Sequence, residues 1–147
     1  MYRALMDLDR MREIACGAVE VGSSAVLSGR APAAGEAKGA PGDWVTEVDL
    51  ASERAISAYL ERQTPDVPVH GEELGGVSSG LRWVVDPLDG TTNYVHGFWA
   101  VGVSVGLWTG PSRWSARSGR RSWASSGTGR PGAAPHGCAT APSARAG

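Results

Sequence analysis

Two aspartates, Asp86 and Asp89, stand in the segment of this chain whose residue types are best suited to chemistry. The segment reads DPLDGTTN at positions 86–93, after an apolar run at positions 81–85 that is typical of a buried strand. The two carboxylates can converge on one side of the turn, and Gly90 permits close backbone approach. Hard oxygen donors beside backbone N–H groups fit a site for a divalent cation and phosphate. Taken alone, the segment is better interpreted as a strand-to-helix turn with aspartate capping, and the other acidic positions change that interpretation.

Two further acidic positions precede this segment. Asp49 follows the sequence DWVT at positions 43–46 and can also be an acid at the start of a helix; Glu72 and Glu73 can also form a solvated turn. Sequential strands often pair, so Glu72 and Asp86 are expected at the ends of neighbouring strands. Carboxylates gathered in this way repel one another unless cations neutralise them. Oxygen-only donors favour Mg²⁺ or Mn²⁺ over zinc.

Helices and short strands must position these residues. Three- and four-residue spacing of apolar side chains predicts one helix over residues 4–28 and a second that starts near 46–49 and ends before Pro65. Extended runs are expected at 67–70, 81–85 and 101–107. The chain is therefore predicted to be an α/β (α+β) protein.

Composition is that of a globular protein, with 147 residues, 41% hydrophobic and 20% charged. No apolar run approaches the roughly 18 residues that a membrane span requires. The N-terminus also lacks the apolar core of a signal peptide. We therefore expect a cytoplasmic protein with no membrane partner.

The character of the chain changes after Leu107. Residues 1–107 carry eight Lys/Arg and all fifteen Asp/Glu, whereas residues 108–147 carry six Arg and no acid. The latter segment also lacks Leu, Ile, Val, Met, Phe and Tyr, so we expect a low-complexity tail that is irregular or disordered. Three explanations stay open: a natural disordered tail, an arginine-rich arm for nucleic acid, and a reading-frame shift in a GC-rich gene. The abruptness favours the frameshift, and the absence of Lys and of aromatic spacing suited to stacking disfavours nucleic acid.

The order and spacing of these blocks resemble the inositol monophosphatase family. The matching residues are Lys38, DWVTEVD at 43–49, GEE at 71–73 and WVVDPLDGTTNYVHGF at 83–98, within roughly residues 5–107. The resemblance implies the N-terminal half of a layered αβαβα sugar-phosphatase-like fold. It also implies Mg²⁺-dependent hydrolysis of inositol 1-phosphate or a similar small phosphomonoester, with histidinol phosphate and nucleotide phosphates left open. Members of the family commonly form homodimers.

The resemblance implies metal ligands in this chain. Glu72, Asp86 and the backbone carbonyl of Leu88 would hold a first Mg²⁺, and Mn²⁺ is an alternative ion. Asp86 and Asp89 would hold a second. In the family a further aspartate from the second half of the protein completes that second site, and the last carboxylate side chain of this chain is Asp89.

The same resemblance implies catalytic roles. Thr91, hydrogen-bonded toward Asp49, would orient the attacking water with assistance from Glu72. The N–H groups of Gly90 and Thr91 would bind the substrate phosphate.

Two departures from the family pattern limit these expectations. Trp99 stands where the family usually has proline, and the second half of the family sequence has no counterpart in residues 108–147. An inactive fragment that still binds Mg²⁺ is therefore the alternative function. The strand at 101–107 is expected to present an open edge.

Overall fold

The computed structural model describes residues 7–29, 36–37, 44–98, 100–110, 122–128 and 139–140. In chain order the elements are α1 (Leu8–Ser28), β1 (Glu36–Ala37), β2 (Trp44–Val45), α2 (Glu47–Gln63), β3 (Val69–Gly71), β4 (Gly75–Gly76), β5 (Leu81–Asp89), α3 (Thr91–Val95), β6 (Val101–Thr109), β7 (Ser122–Thr128) and β8 (Ala139–Thr140). None of the helices in these ranges has the length and apolar character needed to cross a bilayer.

Local sequence explains where the two long helices begin and end. The Asp7 side chain accepts from the backbone N–H of Asp9 at 3.0 Å and so caps the start of α1, four residues later than the periodicity predicted. Helix α2 starts with a capping box in which Thr46 and Asp49 bond each other's backbone N–H. It ends at Gln63, since Pro65 disfavours a helical Thr64, as predicted.

The two helices pack closely because small residues lie between them. A Cβ on Gly22 of α1 would lie 2.5 Å from the Ile56 side chain of α2, so only glycine fits at this crossing. The helices then cover one face of the main sheet. The side chains that fill this core are apolar residues of both helices and of the two central strands, among them Ile14, Val19, Ile56, Leu60, Trp83, Val85, Val103 and Val105.

The main sheet is mixed. Its order is β4-β3-β5-β6-β7-β8, with β3 parallel to β5 and the other neighbours antiparallel. The strands β1 and β2 form a separate antiparallel pair. Because β3 and β5 are parallel, with Gly71 opposite Val85, the residues that follow these two positions, Glu72 and Asp86, lie next to each other.

The structure differs from two expectations for the C-terminal part, namely an open edge on the strand at 101–107 and a tail without regular structure. The edge of β6 is paired with β7 along residues 122–128, and β7 in turn with β8. Strand pairing uses backbone N–H and C=O groups, which every non-proline residue supplies, whereas the expectation of an open edge rested on the missing second half of the family sequence. The remaining tail residues, together with Lys38, Asp43 and Trp99, lie outside the described part of the chain.

Candidate functional site

The centre of the candidate site is an irregularity in β5. Asp86 pairs with Ser104 of β6 and Asp89 with Gly102, so β5 carries one extra residue between the two aspartates. Such a bulge accommodates Pro87, which has no N–H to give to the sheet. The backbone carbonyls within it contact side chains instead: that of Pro87 accepts from Ser52 Oγ at 2.8 Å, and that of Leu88 lies 3.0 Å from Thr91 Oγ1. The bulge thus connects β5 to α2 and α3.

Gly90 makes the turn from β5 into α3 possible. Its φ is +86°, in the left-handed region, and a Cβ there would lie 2.7 Å from the backbone oxygen of Ala100. Asn93 ties the other side of the turn by donating from Nδ2 to that same oxygen at 2.8 Å. The backbone at Gly90 and Thr91 is therefore placed directly after the second aspartate.

Asp49 and Thr91, which are far apart in sequence, meet in a partly buried hydrogen-bond network. Thr91 Oγ1 lies 2.8 Å from Asp49 Oδ1, and the Asp49 side chain is fully buried. The other carboxylate oxygen, Oδ2, accepts from the backbone N–H of Thr46 at 2.9 Å and from the Thr46 hydroxyl. Because Asp49 only accepts, the Thr91 hydroxyl can donate to it and keep its own lone pairs for another donor.

Glu72 is brought beside Asp86 by strand pairing. It directly follows β3, and its backbone N–H donates to the carbonyl of Val85 at 3.0 Å. Burial raises the pKa of Asp86 to about 7, with further contributions from the charge of Glu72, a hydrogen bond to its side chain, and the charge of Asp89. Only the hydrogen bond from the Leu88 N–H opposes this rise.

The three carboxylates match a divalent cation in donor type, and their arrangement is not a ready-made cage. Over the described residues, no group of three or more His, Cys, Asp or Glu side chains is placed to hold a metal ion. Hard oxygen donors and mutual repulsion nevertheless favour a cation at Asp86, since positive charge would stabilise its ionised form. Glu72 and Asp89 therefore each lie close enough to Asp86 to raise its pKa, but the described side chains do not form a closed site.

The raised pKa of Asp86 predicts how a neutral replacement changes stability. Asp86→Asn is expected to raise the melting temperature of the metal-free protein more at about pH 8 than at about pH 5. The folded state binds the Asp86 proton more tightly than the unfolded chain, in which the pKa is 3.8. Protonation of Asp86 therefore stabilises the folded state, and this stabilisation is lost as the pH rises through the folded-state pKa of about 7. Asparagine stays neutral and avoids that loss.

Thermal melting followed by circular dichroism in EDTA measures this effect. The exposed Asp66 offers a matched control, because Asp66→Asn makes the same chemical change away from the site. A gain for Asp86→Asn that is independent of pH would contradict the prediction.

Two residues of the site were missed by the sequence reasoning. Glu53, in the second turn of α2, is 1% exposed and accepts hydrogen bonds from the backbone N–H groups of Glu73 and Leu74. Ser52, also buried, holds the bulge through Pro87. The available signal was spacing: Glu53 lies four residues after Asp49, so both carboxylates share one face of the helix.

Comparison with known proteins gives consistent matches. A profile of the inositol monophosphatase family matches residues 7–110. An inositol-1-monophosphatase of Synechocystis is 40% identical over 106 residues, which are 69% of this chain and 37% of that protein. A histidinol-phosphatase of Streptomyces coelicolor is 41% identical over 95 residues, 54% of this chain and 34% of that protein.

A solved structure agrees with these matches. The inositol monophosphatase of Anabaena superposes with a TM-score of 0.58 at 26% identity, over 89% of this chain and 48% of that one. This chain thus spans about a third of these two curated relatives and about half of the solved structure. Since the family profile covers more than half of the chain and the mixed sheet with its helices matches the solved fold, the chain belongs to the inositol monophosphatase family.

Proposed function

We propose that this chain provides the cation- and phosphate-binding part of a Mg²⁺-dependent phosphomonoesterase. The observation that carries the proposal is the hydrogen bond between the buried Asp49 and the half-buried Thr91, formed beside an Asp86 whose pKa is raised by Glu72 and Asp89. A hydroxyl held by a buried acid next to a cation site is a means of orienting water for attack on phosphorus. We assign residues 1–107 to this activity and residues 108–147 to a tail outside it.

The donor atoms for the cation come from two strands. We assign Glu72, Asp86 and the Leu88 carbonyl oxygen to a first cation, and Asp86 with Asp89 to a second. Mg²⁺ fits these hard donors, and Mn²⁺ is the alternative ion. When bound, the cation lowers the pKa of water and neutralises charge developing on the phosphoryl and leaving oxygens.

The remaining residues bind and orient the reactants. The Thr91 hydroxyl donates toward Asp49 and accepts from the attacking water, which fixes the water's direction. Glu72 assists by accepting a proton at its carboxylate. The backbone N–H groups of Gly90 and Thr91 donate to the substrate phosphate.

Two kinds of support point to the substrate. One relative is named an inositol-1-monophosphatase and another a histidinol-phosphatase, so both names give small phosphate esters as substrates. The sequence TTNYVHG at 91–97 also looks more like inositol monophosphatases than fructose bisphosphatases, in which serine follows the glycine. We therefore propose inositol 1-phosphate or a closely similar phosphate ester.

A cation-binding chain without turnover is the second candidate. The observation in its favour is that no acidic side chain follows Asp89, so this chain offers the second cation only two carboxylates. A nucleic-acid function of the arginine-rich tail ranks last, because it lacks aromatic residues spaced for base stacking.

Phosphate release distinguishes the two candidates. We expect the purified chain to release phosphate from inositol 1-phosphate in Mg²⁺, to stop in EDTA, and to resume when Mg²⁺ is restored. Histidinol phosphate and a nucleoside monophosphate test the substrate class in parallel.

Binding of Mn²⁺ gives a second measurement, and it is monitored by the loss of the free-ion signal in electron paramagnetic resonance. Binding without phosphate release would establish the second candidate. The absence of both Mn²⁺ binding and phosphate release would contradict the proposed function altogether.

A further inference from the structure

The buried carboxylate of Glu53 is unexplained by the activity proposed above. Glu53 lies on α2 one turn after Asp49, with 1% of its surface exposed. Its Oε2 accepts from the backbone N–H of Glu73 and its Oε1 from that of Leu74, both at 2.8 Å. Removing a carboxylate from water is costly, and two charge-assisted hydrogen bonds to backbone offset that cost.

Space for this carboxylate exists only because residue 71 is glycine. A Cβ at Gly71 would lie 1.7 Å from Glu53 Oε1, far inside van der Waals contact. The φ of Gly71 is not positive, so the requirement is steric and not conformational. Gly71 and Glu53 therefore form a matched pair at the end of β3.

These bonds fix the position of Glu72, which lies between Gly71 and the two residues, Glu73 and Leu74, that are bonded to Glu53. Its own N–H is bonded to Val85 of β5, one residue before Asp86. The next two N–H groups are bonded to Glu53 of α2. Three successive backbone N–H groups thus tie Glu72 to the strand that carries Asp86 and to the helix that carries Asp49.

We propose that Glu53 is a positioning residue that holds the turn of Glu72 in place for cation binding beside Asp86. This inference rests on the proposed function for its purpose, and on the observed bonds for its geometry. Glu53 does not touch the cation or the substrate. Helix α2 then positions two parts of the site: Asp49 bonds the Thr91 hydroxyl, and Glu53 holds the turn that carries Glu72.

Glu53→Gln in the full chain tests the proposal with little change in size. Glutamine has one acceptor oxygen and an NH₂ group, so it can accept from only one of the two backbone N–H groups and opposes the other. Glu61→Gln is the matched control, because Glu61 lies on the same helix and is exposed. Gly71→Ala is a second variant, which displaces the Glu53 carboxylate without removing it.

Two measurements follow, one of which needs no cation. Hydrogen exchange in EDTA is expected to be faster at the amides of Glu73 and Leu74 in Glu53→Gln and Gly71→Ala, and unchanged in Glu61→Gln. The Mn²⁺ dissociation constant, measured by electron paramagnetic resonance, is expected to rise about 10-fold or more in the first two variants and not in the third. Circular dichroism identifies any variant that fails to fold, in which case the other variant decides.

The possible results separate the two proposals. Unchanged exchange at Glu73 and Leu74 would overturn the positioning role whatever the cation does. Faster exchange with unchanged Mn²⁺ affinity would overturn it as well, because the turn would then have no effect on the site. Absence of Mn²⁺ binding in the parent chain would overturn the proposed function instead, and amide exchange alone would then decide whether Glu53 holds the turn.

Discussion

Asp49→Asn is expected to lower kcat for inositol 1-phosphate by about 100-fold or more, with a stability loss of only about 1 kcal/mol. Asparagine can place its NH₂ group toward Thr91 and keep its oxygen toward the Thr46 N–H. The Thr91 hydroxyl would then accept from residue 49 and donate to the Leu88 carbonyl, 3.0 Å away. The hydroxyl is then turned and one of its two lone pairs is used within the protein, so it no longer fixes the direction of the attacking water.

Steady-state kinetics and urea denaturation together test this result. Thr91→Ser keeps the hydroxyl and is expected to retain most of the activity, whereas Thr91→Val is expected to match Asp49→Asn. Asp66→Asn repeats the chemical change at an exposed position and should leave kcat unaltered. A kcat for Asp49→Asn within about threefold of the parent would show that the direction of this hydrogen bond is unimportant, since general acid–base effects are typically far larger.

Trp83→Ala is expected to destabilise the fold by about 3–5 kcal/mol, the range measured for large aromatic residues cut back to alanine in a core. Trp83 is fully buried between the sheet and the helices. Its indole Nε1 also donates to Thr64 Oγ1 at 2.8 Å, at the end of α2. Truncation therefore removes both the packing of the central strand and its bond to that helix end, out of a total stability of about 5–15 kcal/mol for a typical domain.

Urea denaturation followed by far-ultraviolet circular dichroism measures this loss. Trp83→Phe separates the two contributions, because it keeps most of the apolar volume and removes the indole donor; a loss of about 1–2 kcal/mol is expected. Leu74→Ala serves as the control for an apolar truncation at an exposed position, with an expected change within about 0.5 kcal/mol. A loss for Trp83→Ala no larger than that of Leu74→Ala would contradict the assigned core.

Strand order was sufficient to predict that Glu72 and Asp86 would meet, whereas the meeting of Thr91 with Asp49 was expected only from the family resemblance. The expectation that Glu72 and Asp86 end neighbouring strands agrees with the parallel pairing of β3 and β5. The resemblance paired Thr91 with Asp49, and the structure places their oxygens 2.8 Å apart. The first expectation followed from where the strands end, which is a local property of the chain, whereas the second joins residues 42 positions apart and needed the resemblance.

The features that the sequence did not predict are contacts to backbone N–H and C=O groups, and which of these groups lack a partner is known only once the chain is folded. Glu53 has the same residue type and helix position as a solvated acid, and only the turn at 72–74 shows why it is buried. Ser52 likewise has a role only once the carbonyl of Pro87 leaves the sheet. The pairing of residues 122–128 was missed because side-chain composition says little about backbone pairing.

The bulge in β5 makes the length of residues 86–89 as important as their side chains. Asp86 and Asp89 pair with Ser104 and Gly102, which fixes the strand on both sides of the extra residue. Loss of one residue here would remove the bulge and withdraw the carbonyls that Ser52 and Thr91 contact, although the two aspartates would stay on one face of the strand. Within this segment an insertion or deletion would therefore disrupt the site even if every side chain were kept.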